Sequence, residues 1–588
     1  MDQVNSSTRT NPLPTPRPRT LHYPAGSLGR PDAPGEDIPA PTHVELLFTG
    51  DDASAAEAYR SALVGSTRTI PRTASRRLRI TCRRVTDPAL SQDTVTGARH
   101  NEGYRLRVSA GEPTDSGDAA ALLEYTGPRG LRNGVATLLQ LPADATPLEI
   151  EDAPRVPLRG IIEGYYGPPW TGEERRETMR LAAAHKMNTY FYAPKDDPYH
   201  RERWRELYPP AEREDLADLA RTASTLGLDF WYTIGPGLSM EYSSESDVRL
   251  LIAKLRDIAS LGITSIGLLF DDIPASLQHD ADRERFGSLP EAHALVANRV
   301  YREVREEHAD ARFVVCPTQY WGAGVEPYIT ELGALLDPRI EVFWTGPEIC
   351  SRELTLRDAA ILDRTLARPP VYWDNYPVND LEMRHQLHLG PYRNRDPHLY
   401  RASAGVVANG AERAQATRIP LLTIADYLWN SEAYDPEASW QYAIRTVVGE
   451  TDAEAFTQFA DCNRYSALYP TDAPRLAAEL ERFWFLRGTG REAESCGVLR
   501  AAVGRLQEAV ALFDRGMENE RLEAEIAEWI SGFRAGVALL DAVAQELVKP
   551  EPDRRRLAAQ VAAYRKEPAY VFADVLYSVE EAFGEEAD

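Results

Sequence analysis

Cysteine is scarce in this sequence. Five occur in 588 residues (Cys82, Cys316, Cys350, Cys462 and Cys496), scattered and without Cys-x-x-Cys or Cys/His ligand spacing. That excludes a disulfide framework and a structural zinc site. Basic charge is also in deficit, with 66 Lys and Arg against 90 Asp and Glu, a net charge of −24. Nucleic acid and anionic membrane both require clustered cations, so neither is an expected partner. No apolar run reaches membrane-spanning length. Residues 1–41 are rich in Pro, Thr, Arg and Ser and lack the apolar centre of a secretory signal. They are expected to be a disordered tail on a cytoplasmic protein. No glycine-rich phosphate loop follows any candidate strand, and His185, His385 and His388 show no ligand set, so no cofactor or metal is expected.

Apolar residues make up 43% and charged residues 27%, ordinary for a folded protein. The length exceeds one ordinary core, so about two to four domains are expected. Residues 42–153 read as a small α/β domain. His43–Phe48, Leu78–Cys82 and Tyr104–Val108 are strand-like, and Asp52–Leu63 and Leu131–Leu141 are helical.

From 154 to 438 apolar strands alternate regularly with amphipathic helices. The strands are Gly160–Tyr166, Thr189–Ala193, Asp229–Ile234, Ser265–Phe270, Arg312–Cys316, Ile340–Trp344, Val371–Trp373 and Ala404–Ala408. Eight strands in such a series, most of them separated by a helical stretch, predict a (β/α)₈ TIM barrel, with a doubly wound open sheet as the competing α/β reading. Residues 439–588 carry apolar residues at three- and four-residue spacing over Leu499–Phe513, Leu522–Leu547 and Leu557–Val571. They predict an α-helical domain whose stripes are core.

The chemistry gathers where the barrel strands end. Leu268-Leu269-Phe270-Asp271-Asp272-Ile273 sets two adjacent carboxylates at the end of a strand apolar on both faces. Such a pair repels and loses solvation, which separates the two pKa values and suits one acid or base and one stabiliser. The plain alternative is a helix cap or a solvated loop. Polar and aromatic clusters end the other strands too, at Glu163–Gly167, Ala193–Asp197, Cys316–Trp321, Phe343–Pro347, Tyr372–Tyr376, Val378–Asp380 and Ala408–Gly410. Barrel active sites form at that end. Tryptophan and tyrosine beside Asp and Asn suit a sugar, whose ring stacks on aromatic faces while carboxylates and amides take its hydroxyls.

The segment Arg159-Gly-Ile-Ile-Glu-Gly-Tyr-Tyr-Gly-Pro-Pro-Trp170 closely resembles the first barrel strand of glycoside hydrolase family 84, the β-N-acetylglucosaminidases that include protein O-GlcNAcases. Tyr192–Asp197, Asp271-Asp272, Cys316–Tyr320, Phe343–Pro347 and Trp373–Asn375 are similar to that family in the same order, and Gly130–Gly134 with Leu138–Leu141 resembles its preceding small domain. The resemblance implies a retaining exo-β-N-acetylglucosaminidase. The substrate's own 2-acetamido oxygen would attack C1 and form an oxazoline, an exception to carboxylate nucleophiles. Asp271 would orient the acetamido N–H, and Asp272 would act first as general acid and then as base. Tyr320 and Asn375 would bind the acetamido group, and Trp373 would wall its methyl. Asp380 and Asn409 would take O4 and O6, while Lys195 and the Gly164 backbone would hold O3. Gly410 departs from the family's usual proline, which puts Asn409 and its loop in doubt.

Plainer roles exist for several of these residues. Lys195 could be a solvated loop residue, and Tyr165 and Tyr166 barrel packing. Trp344 and Trp321 read as core or support, Asp196, Asp197 and Asp374 as structural groups, and Glu163 as the partner of an arginine inside the barrel. Two other functions stay open at this level: a catalytically silent sugar-binding protein on the same barrel, and a metal-dependent barrel enzyme. The intact carboxylate pair disfavours the first, and the lack of histidine at any strand end disfavours the second. The expected partner is a glycoside, glycan or glycoprotein bearing β-GlcNAc.

Overall fold

The computed structural model describes residues 14–22, 44–64, 76–91, 101–109, 119–141, 147–470, 473–546, 549 and 553–564. Its centre is a closed barrel of eight parallel strands: Leu158–Glu163, Thr189–Tyr192, Asp229–Ile234, Ser265–Leu269, Arg312–Cys316, Glu341–Trp344, Val371–Asp374 and Gly405–Asn409. They run in chain order, and the eighth closes on the first in a register from Gly405 opposite Leu158 to Asn409 opposite Ile162. The open-sheet alternative is thereby excluded. The first strand begins and ends earlier than expected, and the other seven agree to within one residue at each end.

The strands take this form because both faces are covered. All six residues of Leu158–Glu163 are buried, which a strand wrapped by helices requires and a two-faced surface strand would not. Inside the barrel, Phe191 stacks on Trp231 at 4.7 Å and meets Phe343 edge-on at 5.3 Å. Four of the intervening helices start on side-chain caps written into the sequence. Thr171 and Glu174 form a reciprocal capping box, and Ser244, Ser288 and Thr355 each accept from the backbone three residues on.

The small domain is a six-stranded sheet in the spatial order Thr20–His22, Leu148–Asp152, Tyr104–Ser109, Ala119–Tyr125, Arg76–Arg84, Val44–Gly50. Three of these strands were not expected. Ala119-Ala-Ala-Leu-Leu-Glu-Tyr125 has the composition of a helix, but it pairs on both edges, parallel to Arg76–Arg84 and antiparallel to Tyr104–Ser109. Tertiary pairing overrides its local preference.

Thr20–His22 lies within the stretch expected to be a disordered tail, and residues 14–22 correct that expectation. The backbone N–H of Thr15 donates to Gln140 Oε1 (2.8 Å), that of Arg17 to Asp426 Oδ1 (2.8 Å) and that of Arg19 to Asp152 Oδ1 (3.0 Å). Two buried carboxylates thus need these donors. Residues 1–13 and 23–43 lie outside the described residues.

The junction under the barrel is ionic and buried. Arg159, at the start of the first strand, pairs with Glu102, and Lys186 pairs with Asp152 at 2.9 Å, with neither of the latter side chains exposed. Burial this complete is tolerated because each charge of these two pairs meets an opposite one. The C-terminal region is helical, and Ala453–Asp461, Glu492–Arg515 and Ala527–Glu546 meet at Phe459, Phe513 and Phe533. Val571, the expected end of the last helix, lies outside the described residues, where that helix runs Arg554–Tyr564. Among the described residues, no helix is long and apolar enough to cross a membrane.

Candidate active site

A cavity of ≈ 440 Å³ opens at the C-terminal end of the barrel strands. All nine residues singled out from the sequence line it: Gly164, Lys195, Asp271, Asp272, Tyr320, Trp373, Asn375, Asp380 and Asn409. They come from the ends of six different strands or the loops just after them, so only the closed barrel brings them together.

The carboxylate pair follows the fourth strand. Asp271 points into the interior and forms an ion pair with Lys195, whose side chain is only 4% exposed. Lys195 is therefore no solvated loop residue. Burial alone would push its ammonium down, but the Asp271 carboxylate outweighs that and raises it. Lys195 also faces the rings of Trp373 and Tyr166, at 5.5 and 5.7 Å.

Asp272 sits higher, its side chain 32% exposed, and its backbone is in the left-handed region (φ +54°), which a non-glycine residue adopts at a cost. Tyr166 Oη donates to its Oδ2 (2.7 Å), Tyr320 Oη donates to its Oδ1 (2.8 Å), and Lys195 Nζ lies 3.9 Å from Oδ2. Burial pushes the Asp272 carboxyl up, but the Lys195 charge and the two tyrosine hydroxyls outweigh it and hold the group below the usual carboxylate range. These contacts stabilise Asp272 as the anion, the form a base needs.

The other polar groups bond to one another. The Gly164 N–H donates to Asn409 Oδ1 (3.1 Å), Asn409 Nδ2 to Asn375 Oδ1 (2.9 Å), and Asn375 Nδ2 to the carbonyl of Ile349 (2.8 Å). Asp380 accepts from the Tyr166 N–H (2.7 Å), and burial pushes its carboxyl up. Trp373 closes one wall, edge-on to Phe343 at 5.4 Å, and a Cβ at Gly164 would lie 2.3 Å from its Cζ2. Glycine is required there by close approach. Gly410 is explained in the same way: its N–H donates to the Ile162 carbonyl (3.0 Å), which proline could not do, and a Cβ would lie 2.6 Å from Trp170. The departure from proline ties this loop to the first strand rather than loosening it.

Glu163 is wholly buried and takes both arms of Arg175 at 2.7 Å, as the sequence led us to expect. Asp374 is gripped by Arg395 (2.8 and 2.6 Å) and Tyr392, and Asp197 accepts from Tyr192 and Tyr208 (2.8 and 2.7 Å). Trp344 is core, whereas Trp321 is 43% exposed, contrary to its reading as core or support. Three further neighbours were not singled out as site residues. Tyr166 reads as packing but bonds Asp272. Arg201 carries no spacing signal, yet it donates to Tyr166 Oη (2.7 Å) and to the Asp272 carbonyl (3.0 Å). Cys316 lines the floor, where burial pushes its thiol far up. Among the described residues, no group of three His, Cys, Asp or Glu side chains is placed to hold a metal ion.

Residues 159–461 match the family model described as NAGidase, beta-N-acetylglucosaminidase. Protein O-GlcNAcase from Rattus norvegicus and from Mus musculus are each 37% identical over 276 residues, which is 46% of this chain and 30% of theirs. The chain therefore aligns with about a third of those relatives' length. Among solved structures, a mutant of Thermobaculum terrenum O-GlcNAc hydrolase superposes with a TM-score of 0.70 at 32% identity, covering 73% of this chain and 94% of the other. CpGH84B, at 24% identity, shares the fold over 97% of this chain and 99% of its own with a TM-score of 0.78. The matched segment takes in the barrel from Arg159 onward and each of the nine residues singled out above, and the chain belongs to the β-N-acetylglucosaminidase family, glycoside hydrolase family 84.

Proposed function

We propose that the protein is a retaining exo-β-N-acetylglucosaminidase that releases terminal β-linked GlcNAc by substrate-assisted catalysis. The observation that carries this reading is the division of labour between Asp271 and Asp272 at one strand end. Asp271 lies deep and is compensated by Lys195; Asp272 lies near the mouth between two tyrosine hydroxyls. An acetamido group at the pocket floor would present its N–H to Asp271, leaving its oxygen to attack C1. Asp272, nearer the leaving group, would give a proton to the glycosidic oxygen and later take one from water. Tyr320, Asn375 and Trp373 would hold the acetamido group, Asp380 and Asn409 the hydroxyls O4 and O6, and Lys195 with Gly164 the hydroxyl O3. The names of the rodent relatives support a glycoprotein as the natural substrate.

The test is hydrolysis of an aryl β-GlcNAc glycoside by the wild type, Asp271→Asn and Asp272→Asn, with a GlcNAc-thiazoline as inhibitor. Loss of an acid–base group costs about 10²- to 10⁴-fold. Both variants are expected to fall by that order, and the thiazoline, which mimics the oxazoline, is expected to compete with substrate. Folded wild type that binds GlcNAc without turnover would replace this reading with the silent sugar-binding one.

A further inference from the structure

Asp272 has two oxygens, and they are held differently. Oδ2 accepts from Tyr166 Oη, and that hydroxyl is itself anchored, because Arg201 Nη1 donates to it at 2.7 Å. A hydroxyl whose oxygen already accepts from a guanidinium directs its one proton elsewhere. Here the proton points at Oδ2. The second arm of the same arginine donates to the Asp272 carbonyl at 3.0 Å, so Arg201 also braces the left-handed backbone that aims the side chain. Oδ1 accepts only from Tyr320, whose hydroxyl has no second partner among the described residues.

We propose that Arg201 and Tyr166 act as a positioning pair that assigns the two oxygens of Asp272 their roles, with Oδ2 a fixed acceptor and Oδ1 the oxygen that transfers the proton. This rests on the glycosidase reading above. When substrate enters, Tyr320 turns to the acetamido group and frees Oδ1. The proton on Oδ1 then passes to the glycosidic oxygen as the C1–O bond breaks, the acetamido oxygen bonds C1, and the aglycone leaves as an alcohol. In the second half, Oδ1 takes a proton from water as the water oxygen bonds C1 and the N-protonated oxazoline opens, its nitrogen keeping the proton it carried in the substrate.

The groups facing Asp272 are Lys195 and Arg201 after the second strand, Tyr166 after the first, Tyr320 after the fifth, Asp380 after the seventh, and adjacent Asp271. Lys195, Arg201 and both tyrosine hydroxyls favour the anion, whereas the carboxylates favour the neutral acid. Removing the Tyr166 hydroxyl deletes one anion-favouring bond, so the acid form persists to higher pH. Tyr166→Phe keeps the backbone N–H that holds Asp380.

The experiment measures kcat/KM against pH for wild type, Tyr166→Phe and Arg201→Met, on dinitrophenyl and unsubstituted phenyl β-GlcNAc glycosides. The dinitrophenolate leaves without protonation, and the phenol does not. Both variants are expected to lose about tenfold or more on the phenyl glycoside and less than about threefold on the dinitrophenyl one. The alkaline limb is expected to move upward. Equal losses on both substrates with an unmoved limb would reduce the pair to packing and overturn the proposal, leaving the glycosidase reading intact. A wild type inactive on both substrates would overturn both. Arg201→Met, which keeps the apolar stem, stands in if the tyrosine variant does not fold.

Discussion

Gly164→Ala is the smallest change that should disturb the pocket. The added methyl carbon would sit 2.3 Å from Trp373 Cζ2 and 2.9 Å from its Cη2. Carbon atoms pack at about 3.5–4.0 Å, so the ring must retreat by more than about 1 Å or the strand end must bend. The indole cannot slide freely, since Phe343 meets it edge-on and Lys195 lies over its face. Overpacking of this kind costs about 1–3 kcal/mol. A displacement of about 1 Å at a substrate-positioning wall can cost about 100-fold in rate. The assay is kcat/KM on an aryl β-GlcNAc glycoside beside urea unfolding. In Gly164→Ala/Trp373→Phe the smaller ring removes the overlapping atoms, so stability should return while activity stays low. A single variant within about threefold of wild type and unchanged in urea would refute the close approach as a constraint.

Other consequences can be measured directly. Arg175→Met strips the wholly buried Glu163 of its charged partner and should destabilise the barrel by about 3–5 kcal/mol in urea, most of it regained by Glu163→Gln in the same chain. Deleting residues 1–22 removes the backbone donors to Asp426 and Asp152, and hydrogen bonds to charged groups are worth about 1.5–3 kcal/mol each. A clear fall in unfolding midpoint is expected, and none would mean that residues 14–22 add nothing to stability. Acid stability has two stages. His185, His200 and His388 are pushed down to about 4 by burial, and His293 to about 3. Each is neutral when folded, so its contribution is whole above pH 6.5 and is lost as pH falls through the window below it. Burial pushes Glu102 up, but Arg159, Arg129 and Arg132 outweigh it and hold the carboxyl at about 2, so its share is present above pH 4.5 and lost below. Unfolding free energy measured from pH 7 to 3 should fall throughout, and His293→Phe should flatten the upper stage.

The barrel was legible because its signal is redundant. Eight buried strands such as Arg312–Cys316, most of them separated by helices, leave few topologies, and the closure of Gly405–Asn409 on Leu158–Glu163 follows from the count. The nine pocket residues were legible because a polar residue at the end of an apolar strand has little packing reason to be there. Arg201 was not, since an arginine in a polar loop looks like every other, and only the fold carries it to Tyr166 and Asp272. Ala119–Tyr125 was hidden by helix-like composition, and Leu148–Asp152 by its acids, which prove to pair across the strand: Glu151 with Arg105 at 2.5 Å and Glu149 with Arg107 at 2.7 Å. Thr15–Arg19 was hidden because its partners lie more than a hundred residues away.

The pocket's internal bonding also bears on which sugar it accepts. Nearly every polar group in it has a protein partner, so a ligand binds only by replacing those bonds one for one. An unmatched group left behind in a buried site costs about 1–3 kcal/mol. A glucoside, lacking the acetamido group, would leave Asp271 and Tyr320 without the partner they gave up others to meet, and sites built this way reject such analogues by about 10⁴- to 10⁵-fold. On the substrate-assisted reading the glucoside also lacks the nucleophile. The two effects separate in a series of N-acyl substrates with one, two and three fluorines on the methyl. Fluorine keeps the N–H that faces Asp271 and fits near Trp373, but it withdraws electrons from the attacking oxygen. If that oxygen is the nucleophile, kcat should fall steeply and monotonically with fluorine number while KM changes little. A flat series would move the nucleophile to a protein group and remove the oxazoline from the mechanism, whatever the fate of Asp272 as acid.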